Sequence, residues 1–399
     1  MLHSYSFKNF QSFRERAHIS LELNNKMPAR GWETVSASGQ RLTTALAVLG
    51  ANGAGKTAAL KPLAFAAWFM SNSFSSLPES GIPLTPHFST NDSPTEIELE
   101  AEDSAGILWR YVLHATPTHV VHEALYRKSE RFRYVFVRDW DEENKIYQVK
   151  QQEFGLAPAE ARKVRPNASL ISTALQYGTE VAKHIDSVNF TSNVTVMGRS
   201  TFETQQLRVA SRLFFENSKL RDQMSSLLTR WDLGLKDVYV EELEVQSTAS
   251  PGGPATPVKI WSAYGKHQTR EGATFQLPLE FESSGTQSAF ILLGRLLQIL
   301  EKGGIALIDE LENDLHPHMV EPMLDLFANP STNPFKAQLI FTCHTPEVLD
   351  LLQKAQVIFV EKRDCESIAF RGDEIAGLRS DDNLRAKYMA GALGAVPRI

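Results

Sequence analysis

The sequence predicts an α/β protein with a mixed or parallel sheet, a β-rich N-terminal lobe and a compact helical insert. The apolar run Ala45–Leu49 leads directly into a glycine-rich loop, as a buried strand does in such folds. Three further apolar runs, at 304–308, 338–342 and 357–360, alternate with helical patterns in the last third of the chain. Because continuous apolar runs are typical of strands buried on both faces, these segments predict a parallel sheet.

Composition and length place the chain among ordinary globular proteins. It has 399 residues, of which 42% are hydrophobic and 22% are charged, which predicts one large domain with insertions or two smaller domains. No stretch reaches the roughly 18 unbroken apolar residues of a membrane span, and the N-terminus lacks a basic segment followed by an apolar run. We therefore expect a cytoplasmic protein that does not enter the membrane.

The charge and the cysteine content limit the partners and the chemistry that the sequence supports. A formal net charge of -6 argues against a surface that is basic throughout, so DNA is an unsupported partner that only a local basic patch would accommodate. The two cysteines, Cys343 and Cys365, are too few for a disulfide framework or a four-cysteine zinc site. We expect both to be reduced thiols.

Residues 1–165 are predicted to form the N-terminal lobe, which includes the glycine-rich loop and a β-rich arm. Apolar residues alternate over 5–13 and 18–23, which predicts the two strands of a hairpin. A helix is predicted over 55–73, with a kink in its second turn because Pro62 removes a backbone hydrogen bond. Three further alternating segments predict the β-rich arm: 95–100, 108–113 and 133–137.

Residues 166–232 are predicted to form the helical insert, and residues 233–399 the C-terminal lobe. Helical patterns near 169–187 and 203–230 are joined by a polar link. No sustained heptad repeat runs through them, so the insert is expected to be compact and not a long coiled coil.

The glycine-rich loop runs from Gly50 to Thr57 and matches the G-x-x-x-x-G-K-[ST] phosphate-binding template at every fixed position. Its position between an apolar strand and a helix is the context that this template requires. Lys56 is predicted to reach the β and γ phosphates of ATP, and Thr57 to supply a ligand to Mg²⁺. The predicted nucleotide-binding residues share this loop and the first turn of the helix: Asn52, Gly53, Ala54, Gly55, Lys56, Thr57 and Ala58.

Two carboxylates, Asp309 and Glu310, directly follow the apolar run Ile305–Ile308. A buried parallel strand brings such a pair to its carboxyl end, where α/β sheets bind ligands. Asp309 is predicted to hold Mg²⁺, and Glu310 to orient and deprotonate the attacking water. Solvated acids often end strands, so the pair indicates catalysis only in combination with the glycine-rich loop.

A polar segment from Glu282 to Gln287 precedes the apolar helical pattern at 289–293, and its last four residues are Ser284, Gly285, Thr286 and Gln287. This segment resembles the signature motif of ABC-type ATPases. The resemblance implies that Ser284 and the N–H groups around Gly285 hold the γ-phosphate of a nucleotide bound to a second subunit, at a helix N-terminus. The alternative is that these polar residues only cap a core helix.

His344 follows the apolar run at 338–342 and looks like the switch histidine of ABC-type ATPases, which is expected to contact the γ-phosphate. A structural histidine at a strand end is the alternative. Segment 311–317 lies where these ATPases place their D-loop, with His316 at the position usually held by aspartate. A metal site at His316 and His318 lacks an evident third ligand.

The order of these motifs is similar to that of the ABC-type ATPase heads of the SMC, RecF and OLD families. The resemblance covers nearly the whole chain and includes segments 9–13, 231–238 and 387–397. Together these segments resemble a prokaryotic group of stand-alone OLD-like ATPases of anti-phage and abortive-infection systems, such as the PARIS ATPase subunit. This resemblance implies an ABC-type P-loop ATPase head that hydrolyses ATP beside a separately encoded nuclease or toxin.

Two features depart from the family pattern. A Q-loop glutamine cannot be placed, because the expected region near Pro86, His87 and Phe88 contains none. The OLD nucleases carry a TOPRIM domain after the ATPase, and the residues after Val357 are too few for one. We therefore expect this chain not to be the nuclease itself.

The leading hypothesis is a homodimer or higher homo-oligomer that closes head to tail around ATP and controls a separate effector. Each site would use Ser284 and Gly285 of one subunit with five residues of the other: Lys56, Thr57, Asp309, Glu310 and His344. An SMC-like or RecF-like ATPase that binds DNA in repair or chromosome maintenance is the alternative. A third hypothesis is a scaffold that binds ATP for assembly and hydrolyses little of it.

Overall fold

The computed structural model describes residues 1–25, 28–29, 31–200, 204–231, 234–248, 255–313 and 315–396. Several residues named in the sequence motifs lie outside this described part of the chain: Asp232, Leu233, Asp314 and Pro397. Among the residues described, no helix is both long and apolar enough to cross a membrane.

The described residues form twenty strands and ten α-helices. The strands are β1 (Leu2–Lys8), β2 (Ala17–Ser20), β3 (Glu33–Val35), β4 (Arg41–Thr43), β5 (Ala45–Leu49), β6 (Thr95–Glu102), β7 (Leu108–Ala115), β8 (Val120–Lys128), β9 (Phe132–Asp141), β10 (Ile146–Gln151), β11 (Phe190–Ser192), β12 (Val194–Thr195), β13 (Gly198–Arg199), β14 (Asp237–Thr248), β15 (Ala255–Gln268), β16 (Thr274–Pro278), β17 (Ile305–Ile308), β18 (Gln338–Thr342), β19 (Val357–Arg363) and β20 (Glu366–Arg371). The helices are α1 (Lys56–Asn72), α2 (Pro158–Arg162), α3 (Leu170–Gln176), α4 (Glu180–Asp186), α5 (Thr204–Glu216), α6 (Ser218–Arg230), α7 (Ser284–Lys302), α8 (Val320–Ala328), α9 (Val348–Leu351) and α10 (Leu384–Met389).

The core sheet has the strand order β11-β17-β18-β5-β19-β20. Its first five strands pair in parallel, and β20 pairs with β19 in antiparallel orientation. The parallel strands all present their carboxyl ends at one edge of the sheet. Successive side chains of β5 enter separate apolar clusters on the two faces, as in strands covered on both sides. The predicted α/β fold class with a mixed sheet is confirmed.

The N-terminal lobe is built on a seven-stranded antiparallel sheet of order β10-β9-β8-β7-β6-β1-β2. The predicted hairpin is present as β1 and β2, and the three predicted strands of the arm are β6, β7 and β9. The first strand ends at Lys8, short of the predicted residue 13, because Asn9 and Gln11 have φ values of 55° and 50°, outside the β region.

Helix α1 connects the lobe to the core sheet. It begins at Lys56, immediately after the glycine-rich loop, and continues as one helix to Asn72. Pro62 lies inside it, so the proline does not end the helix. Apolar side chains of this helix, among them Leu60, Phe65 and Phe69, are buried in one cluster with residues of the lobe and the core sheet.

The region predicted as a helical insert also contains strands. The helix predicted over 169–187 is divided into α3 and α4, which are separated at Gly178 with a φ of 68°. The helix predicted over 203–230 is divided into α5 and α6 at Asn217, whose side chain caps α6. The polar link between them contains β11, which joins the core sheet, and the hairpin of β12 and β13.

Helix α7 packs on the core strands β11 and β17, and a separate three-stranded antiparallel sheet is formed by β14, β15 and β16. Helices α5 and α6 pack on this smaller sheet and on α7. The rings of Phe214 and Phe290 lie 5.0 Å apart between α5 and α7. Gly294 allows the same two helices to approach closely, because a Cβ there would lie 3.3 Å from the Ala210 Cβ.

Candidate functional site at the carboxyl edge of the core sheet

The glycine-rich loop connects the end of β5 to α1, and two of its glycines are required by close approaches. A Cβ on Gly50 would lie 2.4 Å from the carbonyl oxygen of Val360 on β19. Gly55 has a φ of 111°, and a Cβ there would lie 2.6 Å from the Ser367 Oγ. The loop therefore packs against β19 and β20 so tightly that side chains at these two positions are excluded.

Ser12 and Ser367 contact each other next to the glycine-rich loop. The Ser367 hydroxyl donates to the Ala54 carbonyl oxygen at 2.6 Å, and its Oγ lies 2.8 Å from the Ser12 Oγ, within hydrogen-bond distance. Ser12 belongs to segment 9–13, which the resemblance had singled out at the start of the chain. The N-terminal segment and β20 thus contact each other next to the glycine-rich loop.

Lys56 is the buried basic residue of the loop. Its Nζ donates to the carbonyl oxygens of Gly50 at 2.9 Å and Ala51 at 3.2 Å, and lies 3.4 Å from the His344 Nδ1. Burial lowers the pKa of Lys56, and the nearby charges of Asp309 and Glu310 oppose this change. The ammonium is therefore fixed at the mouth of the loop, where phosphate oxygens are stronger acceptors than the carbonyls it contacts.

Asp309 is buried between two threonine hydroxyls. Thr57 Oγ1 donates to Asp309 Oδ2 at 2.8 Å, and Thr342 Oγ1 donates to Asp309 Oδ1 at 2.6 Å. Thr57 lies on α1, Asp309 directly follows β17, and Thr342 is the last residue of β18. A threonine hydroxyl and a carboxylate are hard oxygen ligands, so this pair fits the coordination that Mg²⁺ prefers beside nucleotide phosphates.

Asn193 is a site residue that the sequence analysis missed. Its Oδ1 accepts from the Asp309 N–H at 2.7 Å, and its Nδ2 donates to the Asp309 carbonyl oxygen at 2.9 Å. Strand β11 lies in parallel beside β17, which brings the buried Asn193 next to Asp309. The region where a Q-loop was sought lies elsewhere, since the His87 N–H donates to the Asn9 Oδ1 in the N-terminal lobe.

Glu310 has a constrained backbone and a partly exposed carboxylate. Its φ is 51°, a value that costs energy in a residue with a side chain, and its N–H donates to Thr342 Oγ1 at 2.7 Å. Arg199, a second residue that the sequence analysis missed, donates from its Nη1 to Glu310 Oε2. His344 Nε2 lies 3.8 Å from the other carboxylate oxygen.

His344 lies between the loop and the carboxylate pair, as its place after β18 predicts. Its ring contacts Lys56 on one side and Glu310 on the other. Its backbone N–H donates to Glu312 Oε1 at 2.5 Å, within the segment predicted as a D-loop. Five predicted residues are therefore brought together at one edge of the sheet: Lys56, Thr57, Asp309, Glu310 and His344.

The predicted signature segment lies at the start of α7. Ser283, in the same polar segment, caps this helix by accepting from the Thr286 N–H at 3.2 Å, so the capping alternative holds for this residue. The Gln287 side chain donates to the carbonyl oxygens of Glu280 and Glu282. Among the contacts of the described residues, no hydrogen bond from Ser284, Gly285, Thr286 or Gln287 reaches the phosphate loop.

An open cavity of about 1250 Å³ lies in front of the loop. Gly50, Ala51, Asn52, Gly53 and Ala54 line it together with His344, the end of β19 and the segment from Tyr388 to Val396. The C-terminal segment at 387–397 that contributed to the resemblance thus reaches the mouth of the site through its described residues.

A glycine-rich loop, a carboxylate pair and a histidine at the ends of adjacent parallel strands are the arrangement found in the P-loop ATPase class of proteins. Residues 46–350 match the AAA_21 family model, described as "AAA domain, putative AbiEii toxin, Type IV TA system". The chain belongs to this family. The match confirms the P-loop ATPase part of the resemblance.

Solved structures similar to this chain include heads of SMC proteins. One is an SMC head bound to the C-winged helix domain of ScpA, with 13% identity, a TM-score of 0.49, and coverage of 93% of this chain and 97% of that chain. Another is the SMC head domain from Thermotoga maritima, with 12% identity, a TM-score of 0.42, and coverage of 93% and 98%. A third, an Smc head with a coiled coil and joint derived from Pyrococcus yayanosii, has 10% identity, a TM-score of 0.42, and coverage of 98% and 99%. Among curated proteins, no sequence matches.

Proposed function

We propose that this chain is an ATPase that closes head to tail as a homodimer or higher homo-oligomer around ATP and thereby controls a separate effector. One observation carries the proposal. Lys56, Thr57, Asp309, Glu310 and His344 lie together at one site, whereas the signature segment makes its hydrogen bonds away from that site. The grouping of these five residues supports phosphate binding and hydrolysis at this site, and a second subunit would supply Ser284 and Gly285.

The roles within one subunit follow from geometry and charge. Lys56 and the loop N–H groups hold the β and γ phosphates, and Thr57 and Asp309 hold the metal ion. The Mg²⁺ ion, when bound, neutralises charge that develops on the phosphates. Glu310 accepts a proton from the water that attacks the γ-phosphorus, while the bond from that phosphorus to the β–γ bridging oxygen breaks.

Two residues complete the site around the transferred phosphate. The His344 ring, held between Lys56 and Glu310, donates to the γ-phosphate and loses that contact after hydrolysis. The signature residues of the second subunit, Ser284 and the N–H groups near Gly285, hold the same phosphate from the other side. Because both subunits contact the γ-phosphate, ATP favours the closed assembly and hydrolysis favours opening.

Control of an effector is the second part of the proposal. The family description names a putative AbiEii toxin and a type IV toxin–antitoxin system, which supports a role in a toxin system. An assembly whose closure depends on ATP can hold a nuclease or toxin in one state and release it in the other. We assign this chain the ATPase role and a separately encoded protein the effector role.

Replacement of Glu310 tests the enzymatic part. Glu310→Gln keeps the size of the side chain and removes the proton acceptor, so turnover should fall by about 10²-fold or more. The variant should accumulate as an ATP-bound oligomer in light scattering. Glu321→Gln on α8 serves as the control and should hydrolyse ATP normally. Unchanged hydrolysis in the Glu310 variant would contradict the mechanism, and very slow hydrolysis by the native chain would favour the scaffold hypothesis.

Affinity purification of Glu310→Gln from native cells with ATP tests the effector part. A nuclease or toxin encoded beside this chain should be retained with ATP and released without it. Retention of DNA instead, with an affinity that falls steeply as salt is added, would favour the DNA-binding alternative.

A further inference from the structure

The hairpin of β12 and β13 follows β11 and is anchored at its base to the catalytic edge of the sheet. Val194 pairs with Arg199 and Thr195 with Gly198. The Ser200 N–H and hydroxyl donate to the Asn193 carbonyl oxygen at 2.7 and 3.0 Å and close the base. The Asn193 side chain bonds both backbone groups of Asp309, so the base of the hairpin is fixed to the end of β17.

Arg199, at the end of this hairpin, contacts Glu310. Its guanidinium donates to Oε2, and His344 faces Oε1. The Glu310 N–H is held by the Thr342 hydroxyl, so only the side chain is able to change direction. A general base needs a carboxylate oxygen within hydrogen-bond reach of the attacking water. In the single subunit, the Arg199 guanidinium binds one carboxylate oxygen of Glu310, and the His344 ring lies near the other.

We propose that Arg199 withholds Glu310 from the hydrolytic water in the unassembled subunit and releases it when the hairpin moves. Asn193 is the positioning residue that keeps the hairpin aligned with Asp309. This inference rests on the ATPase mechanism proposed above. It explains why Glu310, although partly exposed, does not activate water for ATP hydrolysis before the second subunit has completed the site.

The hairpin also has a direct connection to the helix that carries the signature segment. Arg295 on α7 donates from Nη1 to the Ser192 carbonyl oxygen, one residue before Asn193. Its Nη2 donates to the Gln206 side chain on α5 at 3.0 Å, beyond the other end of the hairpin. The residue before Asn193 and helix α5 are therefore bonded to one side chain of α7. A shift of α7 upon contact of its N-terminus with a partner's nucleotide is transmitted through Arg295 to the hairpin and to Arg199.

Substitution of Arg199 distinguishes the proposed control of Glu310 from a purely structural role of the guanidinium. We would compare Arg199→Ala, Arg199→Lys and the native chain in steady-state hydrolysis at low protein concentration, where single subunits dominate. Arg199→Ala should raise turnover by about two- to fivefold, because loss of a partly exposed ion pair shifts an equilibrium by that order. Arg199→Lys should stay near the native rate. Arg270→Ala, on the exposed turn between β15 and β16, is the matched control and should not change turnover.

Two further measurements distinguish failure of this inference from failure of the ATPase proposal. The affinity for a fluorescent ATP analogue should be unchanged in Arg199→Ala, and amide hydrogen exchange over 194–199 in the nucleotide-free protein should be faster than in the native chain. Turnover at or below the native value, or unchanged exchange, would overturn the role of Arg199 even if Glu310→Gln is inactive. An active Glu310→Gln would instead overturn the proposed mechanism, whatever the Arg199 variants show.

Discussion

Thr57 and Asp309, which lie in the first and last thirds of the chain, are joined by a 2.8 Å hydrogen bond from Oγ1 to Oδ2. The bond connects the first turn of α1 to the end of β17. Both oxygens are hard ligands, and their separation leaves them able to share one small cation. This contact is the centre of the proposed metal site.

Removal of either oxygen should weaken magnesium-dependent nucleotide binding. Thr57→Ala and Asp309→Asn should each lower the affinity for Mg-ATP by about tenfold or more, because each removes or weakens an oxygen ligand. Thr57→Ser keeps the hydroxyl and should bind normally. Titration of a fluorescent ATP analogue with and without Mg²⁺ measures the effect. Equal affinities for Thr57→Ala and Thr57→Ser would exclude the hydroxyl as a ligand.

Asn193→Ala should destabilise the protein and slow hydrolysis together. The substitution leaves the buried N–H and carbonyl oxygen of Asp309 without their partners, which costs about 1–3 kcal/mol. Denaturant unfolding measures the stability, and steady-state turnover measures the alignment of Asp309. Asn144→Ala, on an exposed turn, is the control and should change neither. A stable and fully active Asn193→Ala would show that β17 does not need this support.

The buried pair of Arg138 and Glu123 should stabilise the N-terminal lobe. The two side chains are fully buried, and the Arg138 guanidinium also donates to the carbonyl oxygens of Val164, Arg165 and Ala168. Arg138→Met leaves the Glu123 charge without its cation and should lower the free energy of unfolding by about 3–5 kcal/mol. Arg127→Ala breaks an exposed pair and should cost less than about 1 kcal/mol. Similar losses in the two variants would contradict this account.

The two thiols should differ in reactivity. Cys343 is buried after β18, and burial raises the pKa of its thiol, so little thiolate forms at neutral pH. Cys365 is exposed on the turn between β19 and β20. An aromatic disulfide reagent at pH 8 should modify Cys365 quickly in the native protein and Cys343 only after unfolding. Rapid modification of Cys343 in the native chain and in Cys365→Ser would contradict the burial of Cys343.

Much of the site was predictable because its signals are local in sequence. The phosphate loop and the pair of Asp309 and Glu310 are each defined by adjacent residues and by an apolar strand before them. His344 follows its strand in the same way. Their roles in binding and catalysis stay predictions until they are measured.

Asn193 and Arg199 were not predictable, because their importance depends on tertiary pairing. Strand β11 has only three residues, which do not show a clear alternation of apolar and polar side chains. Nothing in the sequence therefore places it beside β17. The same short strand explains why a polar link was expected there. Gly178 divides the helix predicted over 169–187 for a local reason, a positive φ, that periodicity does not report.

Mixing two inactive variants tests the central claim most directly. Glu310→Gln disables the base and keeps the signature segment, whereas Ser284→Arg blocks the exposed start of α7 and keeps the base. Each should be inactive alone. Their equimolar mixture should regain roughly one quarter of native turnover, because half of the dimers are mixed and each has one intact composite site. A mixture that stays inactive although co-purification through an affinity tag on one variant shows mixed dimers would contradict a site shared between subunits.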